Sequence, residues 1–156
     1  MVIDHIGIVV RSLEEGLRQW EGLFGYQKYS DVVQNSRQKV KVVFLSKANS
    51  ITVKLIEPSA PDSPVFHFAC KGGGLHHLCF RCADVALQMP LLVEKGAIPV
   101  VPPEPGEAFN NHRIAFLLTK NNLNIELIDT SEKHGWVGNQ QLTSTASDSV
   151  SNDLTR

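Results

Sequence analysis

The sequence predicts an α+β fold made of one βαβββ unit used twice. Two observations predict it. The chain matches itself at an offset of 72 residues, which lays His5 on His77, Ser12 on Asp84, Phe44 on Phe116 and Lys54 on Glu126. The flanking text agrees: HIGIVV (5–10) lies over HLCFRC (77–82), VVFLSK (42–47) over IAFLLT (114–119), and VKLIE (53–57) over IELID (125–129). Agreement from one end of a segment to the other marks a duplicated supersecondary unit. The second observation is the order of hydrophobic periods, which in each unit passes from strand to helix and back to strands.

The first module spans 2–58. IDHIGIVV is a short β-rich run. Ser12 opens a helix with Glu15 three residues on, a capping box that satisfies two free backbone N–H groups. Leu13, Leu17, Trp20 and Phe24 share one helical face, and Gly25 ends it. Strands follow at Tyr26 to Val33, Val40 to Leu45 and Ile51 to Ile56, with Ala48-Asn49-Ser50 turning between the last two. Residues 59–74 join the modules and hold a short helix, Val65 to Cys70. The second module, 75–130, repeats the order. It has a strand at 76–82, a helix from Asp84 to Lys95 and strands near 98–101, 112–118 and 123–129. Pro90 is expected to kink that helix or delay its start. Val101 to Asn111 carries three prolines and two asparagines and reads as a loop. Residues 1–130 form a single domain. Residues 131–156 read as a polar, mostly disordered tail in which Trp136 is a candidate to dock.

Composition narrows the function. The chain has 156 residues, is 42% hydrophobic and has a net charge of −1, so nothing global points to nucleic acid or an acidic membrane. The three cysteines, Cys70, Cys79 and Cys82, fit reduced thiols and an expected cytoplasmic location. Asp4 and His5 interrupt the N-terminus before any apolar run, so no leader or membrane span is expected.

Strand alternation sorts the side chains by face. Ile6, Ile8, Val10, Val53, Leu55, Leu78, Phe80, Ile125 and Leu127 form apolar faces that must cover the helices. His5, Lys54, His77, Cys79, Arg81 and Glu126 then share the open face, which becomes a cup when the modules meet. The same logic buries Val42, Phe44, Ile114 and Phe116 under the helices. It leaves Lys41 and Arg113 in the cup or at its solvated edge. A basic cup suits a small anionic substrate: a carboxylate, a phosphate or an acyl-CoA. His5, His77 and Glu126 are good ligands for a divalent metal. The alternative is a metal-free Lys54–Glu126 ion pair across the cup. Cys79 reads as a small packed thiol.

Paired βαβββ units with a His in the first strand of each and an acid in the last resemble the vicinal oxygen chelate superfamily. The local text is most similar to its methylmalonyl-CoA epimerases: IDHIGIVV, GGGLHHLCF, and HRIAFL followed by NIELID. The resemblance covers roughly residues 2–130. It implies a cup-shaped, partly closed mixed sheet with helices outside and a homodimer. It implies a divalent ion (Zn, Co, Mn, Ni or Fe) on His5, His77 and Glu126. The fourth ligand position of relatives falls on Lys54, and a second acid/base glutamate falls on Arg37. Arg37, Lys41, Arg81 and Arg113 are the candidate substrate-binding cations, and Lys54 and Glu126 the candidate catalytic pair. The implied activity is an isomerase, epimerase or lyase that stabilises an enolate-like intermediate of a carboxylate or acyl thioester, carried on CoA or on a carrier. A protein that binds an anionic metabolite or drug without turnover is the other class.

Overall fold

A computed structural model describes residues 1–136. The first module holds β1 (Val2–Val9), α1 (Leu13–Phe24), β2 (Gln27–Lys28), β3 (Val33–Asn35), β4 (Val40–Ser46) and β5 (Thr52–Pro58). A short helix, α2 (Phe66–Cys70), crosses to the second module. There follow β6 (Gly74–Arg81), α3 (Val85–Glu94), β7 (Ile98–Gly106), a 3-10 turn (Glu107–Phe109), β8 (His112–Leu118) and β9 (Asn124–Ile128).

The nine strands form one open mixed sheet in the order β2-β4-β5-β1-β6-β9-β8-β7, with β3 also on β4. β1 runs parallel to β5 and β6 parallel to β9, while β1 and β6 join the modules antiparallel. The duplication therefore brings the two His-bearing strands side by side at the centre. The outer ends of the modules also approach, because Ser36 donates to Glu107 across the mouth of the cup.

Local chemistry explains the helix ends. The Ser12 side chain accepts from the Glu15 N–H, and Gly25 closes α1 in the left-handed region at φ 67. Asp84 caps α3 in the same way through the Leu87 N–H. Pro90 sits inside α3 without ending it. Leu13, Leu17 and Trp20 pack α1 onto Val43, Leu45, Val53 and Leu55, whereas Phe24 is 46% exposed. Val85 and Met89 pack α3 onto Ala115, Leu117 and Leu127.

Four expectations need correction. The segment expected as one strand, Tyr26 to Val33, is two short strands on β4. The expected loop from Val101 is largely the edge strand β7, bulged at Val101 to Glu104. Proline is tolerated there because an edge strand needs no ladder from its outer N–H groups. β4 and β8 face the other way from the expectation: Val42, Phe44 and Ile114 line the cup, and Val43, Leu45, Ala115 and Leu117 meet the helices. Both faces of these runs are apolar, so hydrophobicity did not decide between them. Finally, residues 131–136 do not start a free tail. Lys133 is 3% exposed, and the His134 N–H bonds the Ala108 carbonyl. Trp136 meets Tyr29 edge-on. The rest of the expected tail, 137–156, lies outside the described residues.

Candidate functional site

Strand register builds the centre from two short rows. Lys54, Gly7 and His77 are direct neighbours across β5, β1 and β6. His5, Cys79 and Glu126 are direct neighbours across β1, β6 and β9. The middle residue of each row, Gly7 or Cys79, is small, and the large side chains fold in over it. A Cβ on Gly7 would lie 2.2 Å from Cε1 of the His77 ring, so this position requires glycine for the close approach.

Glu126 is the hub. The Lys54 Nζ donates to its Oε1 at 3.0 Å and its Oε2 at 3.1 Å. The His5 Nε2 lies 3.0 Å from Oε2 in a hydrogen bond. The His77 Nε2 is also 3.0 Å from Oε2, yet it is not aimed along a hydrogen bond and remains a buried nitrogen without a partner. All four side chains are buried. Burial alone would raise the Glu126 carboxyl, but the Lys54 ammonium, His77 and His5 outweigh it and hold it well below the usual range. Burial pushes His77 down to about 3, so its ring is neutral.

A second layer orients the first. β-Bulges at Asp4 and at His76 interrupt the alternation of β1 and β6 and turn these residues toward the adjacent histidines. Asp4 Oδ1 lies 2.8 Å from His5 Nδ1, and the buried Lys133 Nζ lies 2.9 Å from the same oxygen. Burial would raise Asp4, but His5 and Lys133 hold it low. His5 therefore has a carboxylate oxygen at each ring nitrogen, and a neutral imidazole can donate from only one. His76 Nδ1 lies 2.9 Å from His77 Nδ1. Phe109 stacks on His5 with centroids 5.9 Å apart, and Phe116 meets His77 edge-on at 5.5 Å. Cys79 is buried at the centre, and that burial, with Glu126 beside it, raises its thiol well above the ordinary range. It is a packed thiol and not a thiolate.

A pocket of about 240 Å3 opens onto Lys54, His76 and His77, with walls from Val40, Val42, Ile56, Val65 and Val101. It is small and largely apolar, with few polar groups at its base, as ligand sites are.

The structure brings together His5, Lys54, His77 and Glu126. It does not bring the other cations to them. Arg37 is exposed in the turn between β3 and β4. Lys41 lies on the helix side and pairs with Glu57 at 3.1 Å. Arg113 is exposed on the same side of the sheet, and its N–H bonds Asp129. Arg81 reaches the cup only at its rim, 3.9 Å from Asp4. The inverted faces of β4 and β8 explain Lys41 and Arg113. Asp4, Gly7, His76, Phe109 and Lys133 escaped sequence reasoning. Asp4 and His76 carried a signal, since the offset of 72 relates them as it does the histidines. Lys133 and Phe109 carried none.

The nitrogen atoms of His5 and His77 and an oxygen of Glu126 lie within 4.8 Å of one another, the donor set of a divalent site. The unpartnered His77 nitrogen fits such an ion. Lys54 does not, because its ammonium takes both oxygens of the carboxylate ligand. As folded, the cluster already contains its cation and does not fit a second one beside it.

The chain matches the model of the glyoxalase/bleomycin resistance protein/dioxygenase superfamily over residues 4–116. It is 35% identical over 117 residues to the uncharacterised protein YqjC of Bacillus subtilis (strain 168), covering 74% of this chain and 81% of that one. It is 27% identical over 120 residues to an ethylmalonyl-CoA/methylmalonyl-CoA epimerase of Cereibacter sphaeroides, covering 76% and 88%. A solved methylmalonyl-CoA epimerase in complex with methylmalonyl-CoA and an ammonium ion superposes with a TM-score of 0.71 at 27% identity, covering 85% and 96%. With the duplicated modules and the His-His-Glu centre, these matches place the chain in the glyoxalase/bleomycin resistance protein/dioxygenase superfamily.

Proposed function

We propose that this chain is an enzyme of the epimerase type that acts on an acyl thioester, such as an acyl-CoA, through an enolate-like intermediate. One observation carries the reading. A buried Lys54 ammonium faces an apolar pocket, with the Glu126 carboxylate bonded directly behind it.

The chemistry follows from that pair. The thioester oxygen accepts a hydrogen bond from Lys54. As the α-carbon–hydrogen bond breaks, its electron pair moves onto that oxygen, where the ammonium balances the new charge. Engaging the substrate loosens Lys54 from Glu126 and frees a carboxylate oxygen to take the proton. Return of a proton to the same carbon exchanges it with solvent. Inversion needs a second group on the opposite face, and among the described residues His76 is the other titratable side chain that lines the pocket besides Lys54 and His77. Isomerase or lyase chemistry on the same enolate uses the same two charges. The Lys54 side chain brings a monocation of its own to this centre.

A second reading has an observation in its favour. A carboxylate held as low as Glu126 is a weak base, which suits a protein that binds an anionic metabolite without turnover. Methylmalonyl-CoA and propionyl-CoA in deuterated water distinguish the two. The enzyme reading expects deuterium at the α-carbon with the wild type and none with Glu126→Gln. Tight binding with no exchange in the wild type would leave only the carrier.

A further inference from the structure

The pocket at Lys54 has a counterpart in the other module. A larger cavity of about 490 Å3 lies on the far side of Asp4 and His5. The offset of 72 residues relates the two: Asp4, Lys28, Tyr29, Thr52 and Trp136 line the larger cavity, and His76, Val100, Val101, Asn124 and Pro64 line the smaller. Duplication thus made two equivalent pockets, one on each side of the centre, and their linings have diverged.

The larger cavity has gained cations and aromatic rings. Where the smaller pocket has Val100 and Val101, the larger has Lys28 and Tyr29. Arg81 and Lys133 add to Lys28, while Lys47 lines the cavity with its Nζ donated to the Phe24 carbonyl at 2.6 Å; among the described residues Asp4 is the one carboxylate of the lining. Lys133 is 3% exposed and lies 2.9 Å from Asp4, so the floor is built and not a chance group of surface lysines. Trp136, 52% exposed, also lines the cavity and makes a T-shaped contact with Tyr29 at 5.7 Å. Several cations beside a half-exposed aromatic ring suit a ligand with phosphate and a planar ring. The volume suits a ligand of nucleotide size.

We propose that this cavity is a second ligand site, for a nucleotide bearing phosphate. Its anion meets Lys28 and Arg81, and its base lies on Trp136. The ligand is either a free nucleotide or the nucleotide end of an acyl-CoA. The second source alone rests on the acyl-thioester reading above.

Adenosine 3′,5′-bisphosphate titrated into the full chain tests it. Binding is expected to change tryptophan emission, and Trp136→Phe should remove that change while Trp20 stays in place. Lys28→Glu, an exposed position, should weaken binding by about tenfold or more through charge reversal. Propionyl-CoA that displaces the bisphosphate assigns the site to the substrate's nucleotide end. Both bound together assign it to a separate nucleotide, and either result keeps the site. No binding at millimolar bisphosphate, or binding that neither variant alters, overturns it. Failure of α-carbon exchange with the bisphosphate still bound would count against the catalytic reading alone.

Discussion

The two modules share a backbone plan and differ in charge. At equivalent positions the first places Asp4, His5 and Lys54, and the second His76, His77 and Glu126. The shared histidines come from the duplication. The Lys54–Glu126 pair comes from divergence, because equivalent strands bring equivalent positions together at the pseudo-two-fold and two identical groups would repel there. The fold supplies proximity, and the differences between the halves supply the chemistry.

Breaking that pair should have the largest effect. Glu126→Leu leaves Lys54 buried without a partner, at a cost of about 3–5 kcal/mol. Adding Lys54→Met to it should restore most of the loss, since a neutral pair of similar volume needs no compensation. Urea unfolding of the three proteins reads both steps. A single variant as stable as the wild type would mean that the pair is not buried as described.

The middle residues of the two rows sharpen the contrast. Gly7→Ala puts a methyl group into the His77 ring and should cost about 1–3 kcal/mol. Cys79→Ala, at the equivalent position, creates no clash, and its cost should be about 1 kcal/mol from lost packing. Thermal melts of both variants are enough to check the order. Equal losses would remove the argument that His77 requires a glycine beside it.

Acid should expose the neutral His77. Burial holds it down to about 3 in the fold, against an ordinary 6.5. Between those values the unfolded chain binds a proton that the folded chain does not, so stability falls as the pH drops from about 6.5 toward 3. The slope from this one group is roughly 1.4 kcal/mol per pH unit. Glu126 and Asp4, both held low, add their own loss below the ordinary carboxylate range. His77→Asn should flatten the upper part of the curve and leave the carboxylate part. Stability measured from neutral pH to pH 4 decides this, and an unchanged slope in the variant would contradict it.

Much of this was legible in the sequence, for reasons that are physical. The repeat exposed the modules, and the capping box at Ser12 fixed the start of the first long helix, while the second followed from the repeat. Polar residues in apolar strands fixed the face of β1, β5, β6 and β9, so His5, Lys54, His77 and Glu126 were found together. β4 and β8 gave no such signal, because VKVVFL and HRIAFL are apolar on both faces, and Lys41 and Arg113 were misplaced with them. β7 was hidden by prolines that only an edge strand accepts. Lys133 was hidden because its burial depends on Asp4, a partner far away in sequence and turned inward by a bulge that alternation does not predict.

The central claim is that the Lys54 ammonium is the cation of this centre. Equilibrium dialysis against Zn, Co, Mn and Ni, followed by metal analysis of wild type and Lys54→Gln, tests it most directly. The account predicts well under one equivalent on the wild type and close to one on Lys54→Gln, where the carboxylate is released and His5, His77 and Glu126 are free to ligate. A wild type that holds one equivalent tightly, with Lys54→Gln no better, would contradict it.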